Sequence, residues 1–347
     1  MARSETTNRQ WILNRRPKGE PDADTLKMIE SDIPQPGPGQ MLLRAEYLSL
    51  DPYMRGRMSD APSYAEPVQI GQVMAGGTVS RVIRSGVDGF AEGDFVLNYG
   101  GWQDYSLSDG TGVQNLGAAP DNPSWALGIL GMPGITAWHG LTAIGQPQPG
   151  ETIAVAAATG PVGATVGQIG KIMGCRVIGI AGGAEKCSYA VDTLGFDACI
   201  DHKDAAMPER LAQAAPDGID VYFENVGGKV LDAVIPLLNT HARIPLCGLV
   251  ANYNATALPD GPDRMGWLMS QILIKRLTVK GFIIFDSYAE KYQEFSQQMS
   301  DWISEGKIQY REDIVDGLEN APQAFAGLLK GKNFGKLVIR LDDENVS

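Results

Sequence analysis

Between Thr152 and Phe285 the apolar positions fall into short β-branched runs separated by longer stretches with helical spacing. The runs are TIAVAA (152–157), RVIGIA (176–181), DACID (197–201), IDVYFE (219–224), ARIPLC (242–247) and LTVKGFIIF (277–285). The first five begin 24, 21, 22 and 23 residues apart, the length of one strand plus one helix. Nearly continuous apolar strands in such alternation predict a parallel sheet covered by helices on both faces. Between the first two runs, Val162, Val166, Ile169 and Met173 recur at i, i+4, i+7 and i+11, one face of a helix. This part of the chain reads as a doubly wound α/β domain.

The flanks have another texture. PGPG (36–39) leads into MLLRAEYLSL, followed by Gly- and Pro-rich turns and short strands such as FVLNY (95–99). That is the pattern of an irregular β-rich domain. The tail after residue 306 ends in GKLVIRL, a strand by composition, and is expected to return to the N-terminal domain. The expected division is 1–130 with 307–347 for the β-rich domain and 131–306 for the α/β insertion.

Composition narrows the function classes. The 347 residues are 44% apolar and 20% charged, a globular balance, and 29 basic against 41 acidic residues give a net charge of −12. Such an excess of acid argues against nucleic-acid or anionic-membrane partners, though not against a local basic pocket. MARSETTNRQW has no apolar core, Ile153 to Gly170 is broken by Pro161, and LDDENVS matches no lipidation signal. Cys175, Cys187, Cys199 and Cys247 form neither a CxxC pair nor a dense framework. A cytoplasmic protein with four reduced, mostly buried thiols is the expectation.

The segment AVAAATGPVGATVGQIGK runs from the first strand straight into a helix. Gly160 and Gly163 at the turn allow close approach of the backbone to a pyrophosphate, and the helix N-terminus offers free N–H groups. Pro161 suits the first helical position, where its missing N–H costs nothing. A glycine turn alone often serves only packing; placed after the first strand of a βαβ array, it points to a dinucleotide. An NAD site would carry Asp or Glu at the end of the second strand. Here that strand ends Ala181-Gly182-Gly183-Ala184, followed by Glu185 and Lys186. A missing anion with a nearby cation suits a 2′-phosphate, hence NADP; a solvated Lys186, or a Glu185 facing the ribose, is the alternative.

His139, His202 and His241 form no HxxxH or HxxE pair, and the cysteines are scattered, so no metal site is expected. No nucleophile elbow stands out either. Acid chemistry is left to tyrosines, cofactor hydroxyls and water. Tyr253 follows the fifth strand, at the edge where doubly wound sheets bind ligands. Tyr53 and Tyr64 belong to the other domain and are candidates to close over a substrate; each tyrosine could equally be a packing residue.

Eight motifs in order carry a family resemblance: SLDPYMRGRM (49–58), GMPGITAW (131–138), AAATGPVGATVGQIGK (156–171), AGGAEK (181–186), FENVGG (223–228), CGLVANYN (247–254), GFIIFD (281–286) and LENAPQAFAGLLKGKNFGK (318–336). With these the chain resembles the medium-chain dehydrogenase/reductase superfamily, in the zinc-free branch of leukotriene B4 dehydrogenases, prostaglandin reductases and double-bond reductases. The resemblance implies a GroES-like domain around a Rossmann domain, a homodimer, and NADPH reducing the C=C bond of an α,β-unsaturated ketone or aldehyde. It implies that Gly160, Pro161, Val162 and Gly163 hold the pyrophosphate, and that Lys186, His202 and Lys203 hold the 2′-phosphate. His202 stands where the family often has Tyr. Asn225, Cys247, Gly248 and Tyr253 are implied to line the rest of the cofactor, with Phe282, Ile283, Ile284 and Asn333. SLDP and GQV (71–73) stand where zinc-binding relatives carry a cysteine and a GHE segment. The runner-up activities are a zinc-free carbonyl or alcohol oxidoreductase and a non-enzymatic NADPH-binding protein.

Overall fold

A computed structural model describes residues 6–258 and 261–341. The terminal stretches MARSE and DDENVS lie outside the described residues. The chain divides into two compact units, one from residues up to Leu127 and from Glu312 onward, the other Gly128–Arg311.

The first unit opens with β1 (Thr7–Leu13), β2 (Leu26–Asp32) and β3 (Met41–Ser49), then a single turn of helix, α1 (Met54–Arg57). Four short strands follow: β4 (Thr78–Ser85), β5 (Phe95–Asn98), β6 (Tyr105–Ser108) and β7 (Gln114–Gly117). The second unit begins with α2 (Met132–His139) and then alternates. Its elements are β8 (Thr152–Ala156), α3 (Pro161–Ile172), β9 (Arg176–Ala181), α4 (Ala184–Asp192), β10 (Ala198–Asp201), α5 (Met207–Ala214) and β11 (Ile219–Phe223). It continues through α6 (Gly228–Val234), β12 (Leu238–Leu246), α7 (Met265–Lys275), β13 (Thr278–Gly281) and α8 (Tyr288–Ser304). The chain then returns to the first unit with β14 (Glu312–Asp316), α9 (Ala321–Leu328) and β15 (Lys336–Arg340).

In the second unit the strand order is β10-β9-β8-β11-β12-β13, every pair parallel. Counted from β8, this is the 3-2-1-4-5-6 order of the doubly wound dinucleotide fold, and the order reverses between β8 and β11. Right-handed crossovers on either side of that reversal put helices on opposite faces of the sheet. All five residues of β8 are buried, as a strand covered on both faces requires. Glycines set the depth of α3 against the sheet. A β-carbon on Gly170 would stand 2.8 Å from Ile153 Cδ1, and one on Gly167 1.9 Å from the Phe196 ring.

Two strands differ from their sequence reading. The fifth starts at Leu238, ahead of ARIPLC, with His241 at φ +66° in its middle. The sixth ends at Gly281, so Phe282, Ile283 and the following turn (284–286) leave the sheet instead of extending it. The ladder with β12 ends at the Leu246–Gly281 pair, beyond which the Phe282 N–H still donates to Leu246 O at 3.4 Å. Burial of the thiols also differs: Cys175 is buried, whereas Cys187, Cys199 and Cys247 are half-buried.

The first unit joins its two sequence segments in one seven-stranded sheet ordered β14-β15-β3-β4-β5-β7, with β6 on β3. The C-terminal β15 is antiparallel to β3, pairing Val338 with Ser49. Its core holds Trp102 edge-on to Phe325 of α9, ring centroids 5.7 Å apart. Among the described residues no helix is long and apolar enough to cross a membrane.

Candidate active site

The chemistry expected from the sequence falls on the carboxyl edge of the parallel sheet. The turn after β8 is held by Gly160 N–H donating to Ala157 O at 2.9 Å, with Ala157 itself at φ +54°. A β-carbon on Gly163 would stand 2.3 Å from that same carbonyl oxygen, so only glycine lets α3 begin this close to the strand. Gly160 is the N-cap without a side-chain cap, and Pro161 is the first helical residue. The Val162 and Gly163 N–H groups belong to the first turn, whose donors have no intrahelical acceptor. They form the positive end of the helix at the point where the strand order reverses.

Across the reversal, Asn225 follows β11 and its Nδ2 donates to Ala156 O at 2.8 Å, spanning the crevice between the two strand ends. The loop that carries it hangs from a buried acid. Glu224 Oε1 accepts from the N–H groups of Val226 (2.6 Å) and Gly227 (2.9 Å), and its backbone oxygen accepts from Cys247 (2.9 Å) and Gly248 (3.2 Å). Burial raises the Glu224 carboxyl above the usual carboxylate range, although these N–H bonds pull the other way. Val250 N–H donates to Asn225 O and Ala251 N–H to Val226 O, so the loops after β11 and β12 form one clamped body. Burial, with the Glu224 charge adding, pushes the Cys247 thiol up to about 12, so it is an inert wall rather than a nucleophile. At the end of this body is half-buried Tyr253; a β-carbon on Gly248 would lie 3.1 Å from its hydroxyl. The hydroxyl therefore lies back over the loop rather than pointing away from the sheet edge.

A second group gathers at the end of β9. A β-carbon on Gly182 would meet His202 Nε2 at 2.9 Å and Lys203 Cε at 3.3 Å, so both side chains crowd the glycine that replaces a carboxylate. Asp201 Oδ1 accepts from Gly183 N–H and Lys203 N–H, both 2.9 Å, and fixes this turn against the next strand. Lys186 is half-buried one position beyond exposed Glu185. Burial lowers the His202 imidazole pKa, and the positive charge of Lys229 on α6 lowers it further. Lys203 and Lys229 thus bring positive charge to this turn in a chain of net charge −12, while the lowered pKa keeps His202 a neutral imidazole. Lys229 escaped the sequence reading, although it stands directly after the quoted FENVGG.

Phe282, Ile283 and Ile284 leave β13 at the same sheet edge, with Phe282 edge-on to Phe223 of β11 at 6.3 Å.

In the first unit the expected tyrosines cluster around Asp51. Lys336 Nζ, fully buried, donates to Asp51 Oδ1 (2.8 Å) and Leu50 O (2.9 Å), and Ser49 Oγ donates to the other carboxylate oxygen. Burial, then the Asp51 charge, holds the Tyr53 phenol well above its usual pKa. Partial desolvation, then the Asp51 charge, also raises the phenol of Tyr99, the last residue of the predicted FVLNY, which was missed. Arg57 lies over the rings of both Tyr53 (5.7 Å) and Tyr64 (5.2 Å), and Tyr64 is 57% exposed. Asn333 helps line a cavity of about 430 Å³ beside α9 and donates to Gly335 O at 2.8 Å.

Two family descriptions match the chain: an N-terminal domain of oxidoreductase over residues 9–116, and a zinc-binding dehydrogenase over residues 161–305. The donors for zinc do not fit. Among the described residues no group of three or more His, Cys, Asp or Glu is placed to hold a metal, and Asp51 is committed to Lys336. The chain is 61% identical to the NADPH-dependent curcumin reductase of Escherichia coli K12, covering 98% of this chain and 99% of that protein. It is 40% identical to prostaglandin reductase 1 of Rattus norvegicus, over 95% and 98% of the two chains. The crystal structure of CurA from Vibrio vulnificus in complex with NADPH superposes with a TM-score of 0.95 at 62% identity, covering 96% of this chain and 99% of that one. The sheet order, the glycine turn and these full-length matches place the chain in the medium-chain dehydrogenase/reductase family, in the branch of curcumin and prostaglandin reductases.

Proposed function

We propose that this protein is an NADPH-dependent enone reductase. It reduces the C=C bond of α,β-unsaturated ketones and aldehydes, placing a hydride on the β-carbon and a proton on the resulting enolate. The observation that carries this reading is the packing of Lys203 and His202 against Gly182, where an NAD site would present a carboxylate, on a sheet edge shared with Tyr253. The full-length similarity to named NADPH-dependent and prostaglandin reductases supports it.

The cradle at Gly163, which a β-carbon would fill, fits a pyrophosphate. Gly160, Pro161, Val162 and Gly163 hold that group, and Lys186, His202 and Lys203 hold the 2′-phosphate. Asn225, Cys247, Gly248 and Phe282 to Ile284 line the nicotinamide half and exclude water. When bound, NADPH supplies the hydride. Charge then develops on the substrate oxygen, where a fixed donor lowers the barrier. Tyr253 Oη is that donor, since a phenol keeps its proton at neutral pH. Tyr53 and Tyr64 serve substrate binding; the raised Tyr53 pKa keeps that hydroxyl a donor across the neutral range. The four free thiols accord with the reducing cytoplasm.

We assign a homodimer through the edge of the parallel sheet. β13 leaves one backbone edge free of the β12 ladder, and Val279 on it is 44% exposed. Met265, Met269 and Leu273 make an exposed apolar stripe at i, i+4 and i+8 of α7. An apolar stripe beside an open strand edge is covered in a stable protein.

Four outcomes follow. NADPH is consumed with a simple enone and not with the matching saturated ketone, and Tyr253→Phe lowers kcat about 10–1000-fold with little change in NADPH affinity. Near-wild-type kcat in a folded, NADPH-binding variant removes Tyr253 from the mechanism. Lys186→Ala raises KM for NADPH roughly 10–150-fold, the value of a charge-assisted hydrogen bond, and barely alters that for NADH. Equal losses for both cofactors contradict the 2′-phosphate assignment. Light scattering reports twice the chain mass for the wild type and the chain mass for Leu273→Glu combined with Val279→Lys; a monomeric wild type at micromolar concentration refutes the edge assignment.

A further inference from the structure

Glu224 is wholly buried at the end of β11, and one of its two carboxylate oxygens, Oε2, has no hydrogen-bond partner among the described residues. A buried carboxylate left half satisfied lowers stability, and the sheet does not require it. The Glu224 backbone alone joins β11 to β12. Its N–H donates to Pro245 O (3.0 Å), and its carbonyl oxygen accepts from the Cys247 and Gly248 N–H groups. What the side chain adds is directed forward along the chain. Oε1 accepts from the Val226 and Gly227 N–H groups, and so fixes the turn that leaves the strand.

That turn supports Tyr253. Gly227 stands at φ +77°, and a β-carbon on it would lie 3.0 Å from Leu249 Cδ2, so the turn packs directly on the loop after β12. Val250 N–H donates to Asn225 O (3.2 Å), Ala251 N–H to Val226 O (3.0 Å) and Tyr253 N–H to Val250 O (3.3 Å). The Tyr253 hydroxyl lies over Gly248, whose β-carbon would stand 3.1 Å from it, so the course of this loop sets the seat of the phenol. Every link from the carboxylate to the tyrosine is a hydrogen bond or a direct contact. We propose that Glu224 is a positioning residue for the reduction: by holding the 225–227 turn, its Oε1 sets where Tyr253 Oη stands. This rests on the reading of Tyr253 as donor to the substrate oxygen. Oε1 accepts hydrogen bonds whether or not the other oxygen carries a proton, so the anchoring needs the acceptor and not the charge. The pyrophosphate turn and the 2′-phosphate group follow other strands, so loss of the anchor acts on turnover rather than on NADPH affinity.

The test uses the full chain with NADPH and a simple enone. Turnover is referred to the NADPH-binding sites found by titration, so unfolded protein drops out. Glu224→Ala, and Glu224→Leu as a second variant without an acceptor, lower kcat about 10–100-fold, the effect of a misplacement of about 1 Å. KM for NADPH stays within about twofold, and Glu224→Gln, which keeps an acceptor, holds kcat within about twofold of the wild type. In the Tyr253→Phe background, Glu224→Ala costs less than about twofold more, because both changes act through one hydroxyl. Crystal structures of the wild type and Glu224→Ala show Oη displaced by about 1 Å. An unmoved Oη, a Gln variant as slow as the Ala variant, or the full loss repeated in the Tyr253→Phe background overturns the proposal. Loss of NADPH binding in both the Ala and Leu variants also overturns it, because Glu224 is then a structural residue. A displaced Oη together with wild-type turnover by Tyr253→Phe supports the anchor and strikes the donor reading instead.

Discussion

The structure depends on the absence of a side chain at Gly163. The loop leaving β8 turns so tightly that the Ala157 carbonyl oxygen lies 2.3 Å from where that β-carbon would be. Contact between carbon and oxygen needs about 1 Å more, so any other residue forces the helix and strand apart. Gly167 and Gly170 extend the same constraint along α3, against Phe196 and Ile153. Because the helix lies flush on the sheet, its first-turn N–H groups are delivered to the crevice between β8 and β11. That crevice is bridged by Asn225. Fold and anion site are in this sense one arrangement.

Around that point electrostatics divides the labour. The chain as a whole is acidic, yet Lys203 and the charge of Lys229 act on His202 where β9 ends. A local cationic group in an anionic protein selects a ligand with charge at one end and rejects extended polyanions. On the other side of the crevice buried Glu224 spends its hydrogen bonds on backbone N–H groups.

Much of this was legible in the sequence, for identifiable reasons. The regular spacing of the first five apolar runs and the glycine turn after the first are local signals, and they located the α/β unit. Strand limits were less legible. His241 at positive φ hides the true start of β12, and the apolar GFIIF continues a strand pattern although its pairing ends at Gly281. Side-chain convergence from distant segments was harder still. His202 against Gly182 depends on the β9–β10 register, and the rise in the Tyr53 pKa depends on burial beside Asp51. The motif AGGAEK shows that a carboxylate is missing; only the register shows what stands in its place.

The central claim is that the hydride goes to carbon of the C=C bond while the carbonyl survives. Turnover of a simple enone with NADPH carrying deuterium at the transferable position tests it most directly. The account predicts a saturated ketone with one deuterium on its β-carbon, and with the α-proton drawn from solvent. Deuterium on the carbinol carbon of an allylic alcohol would contradict it.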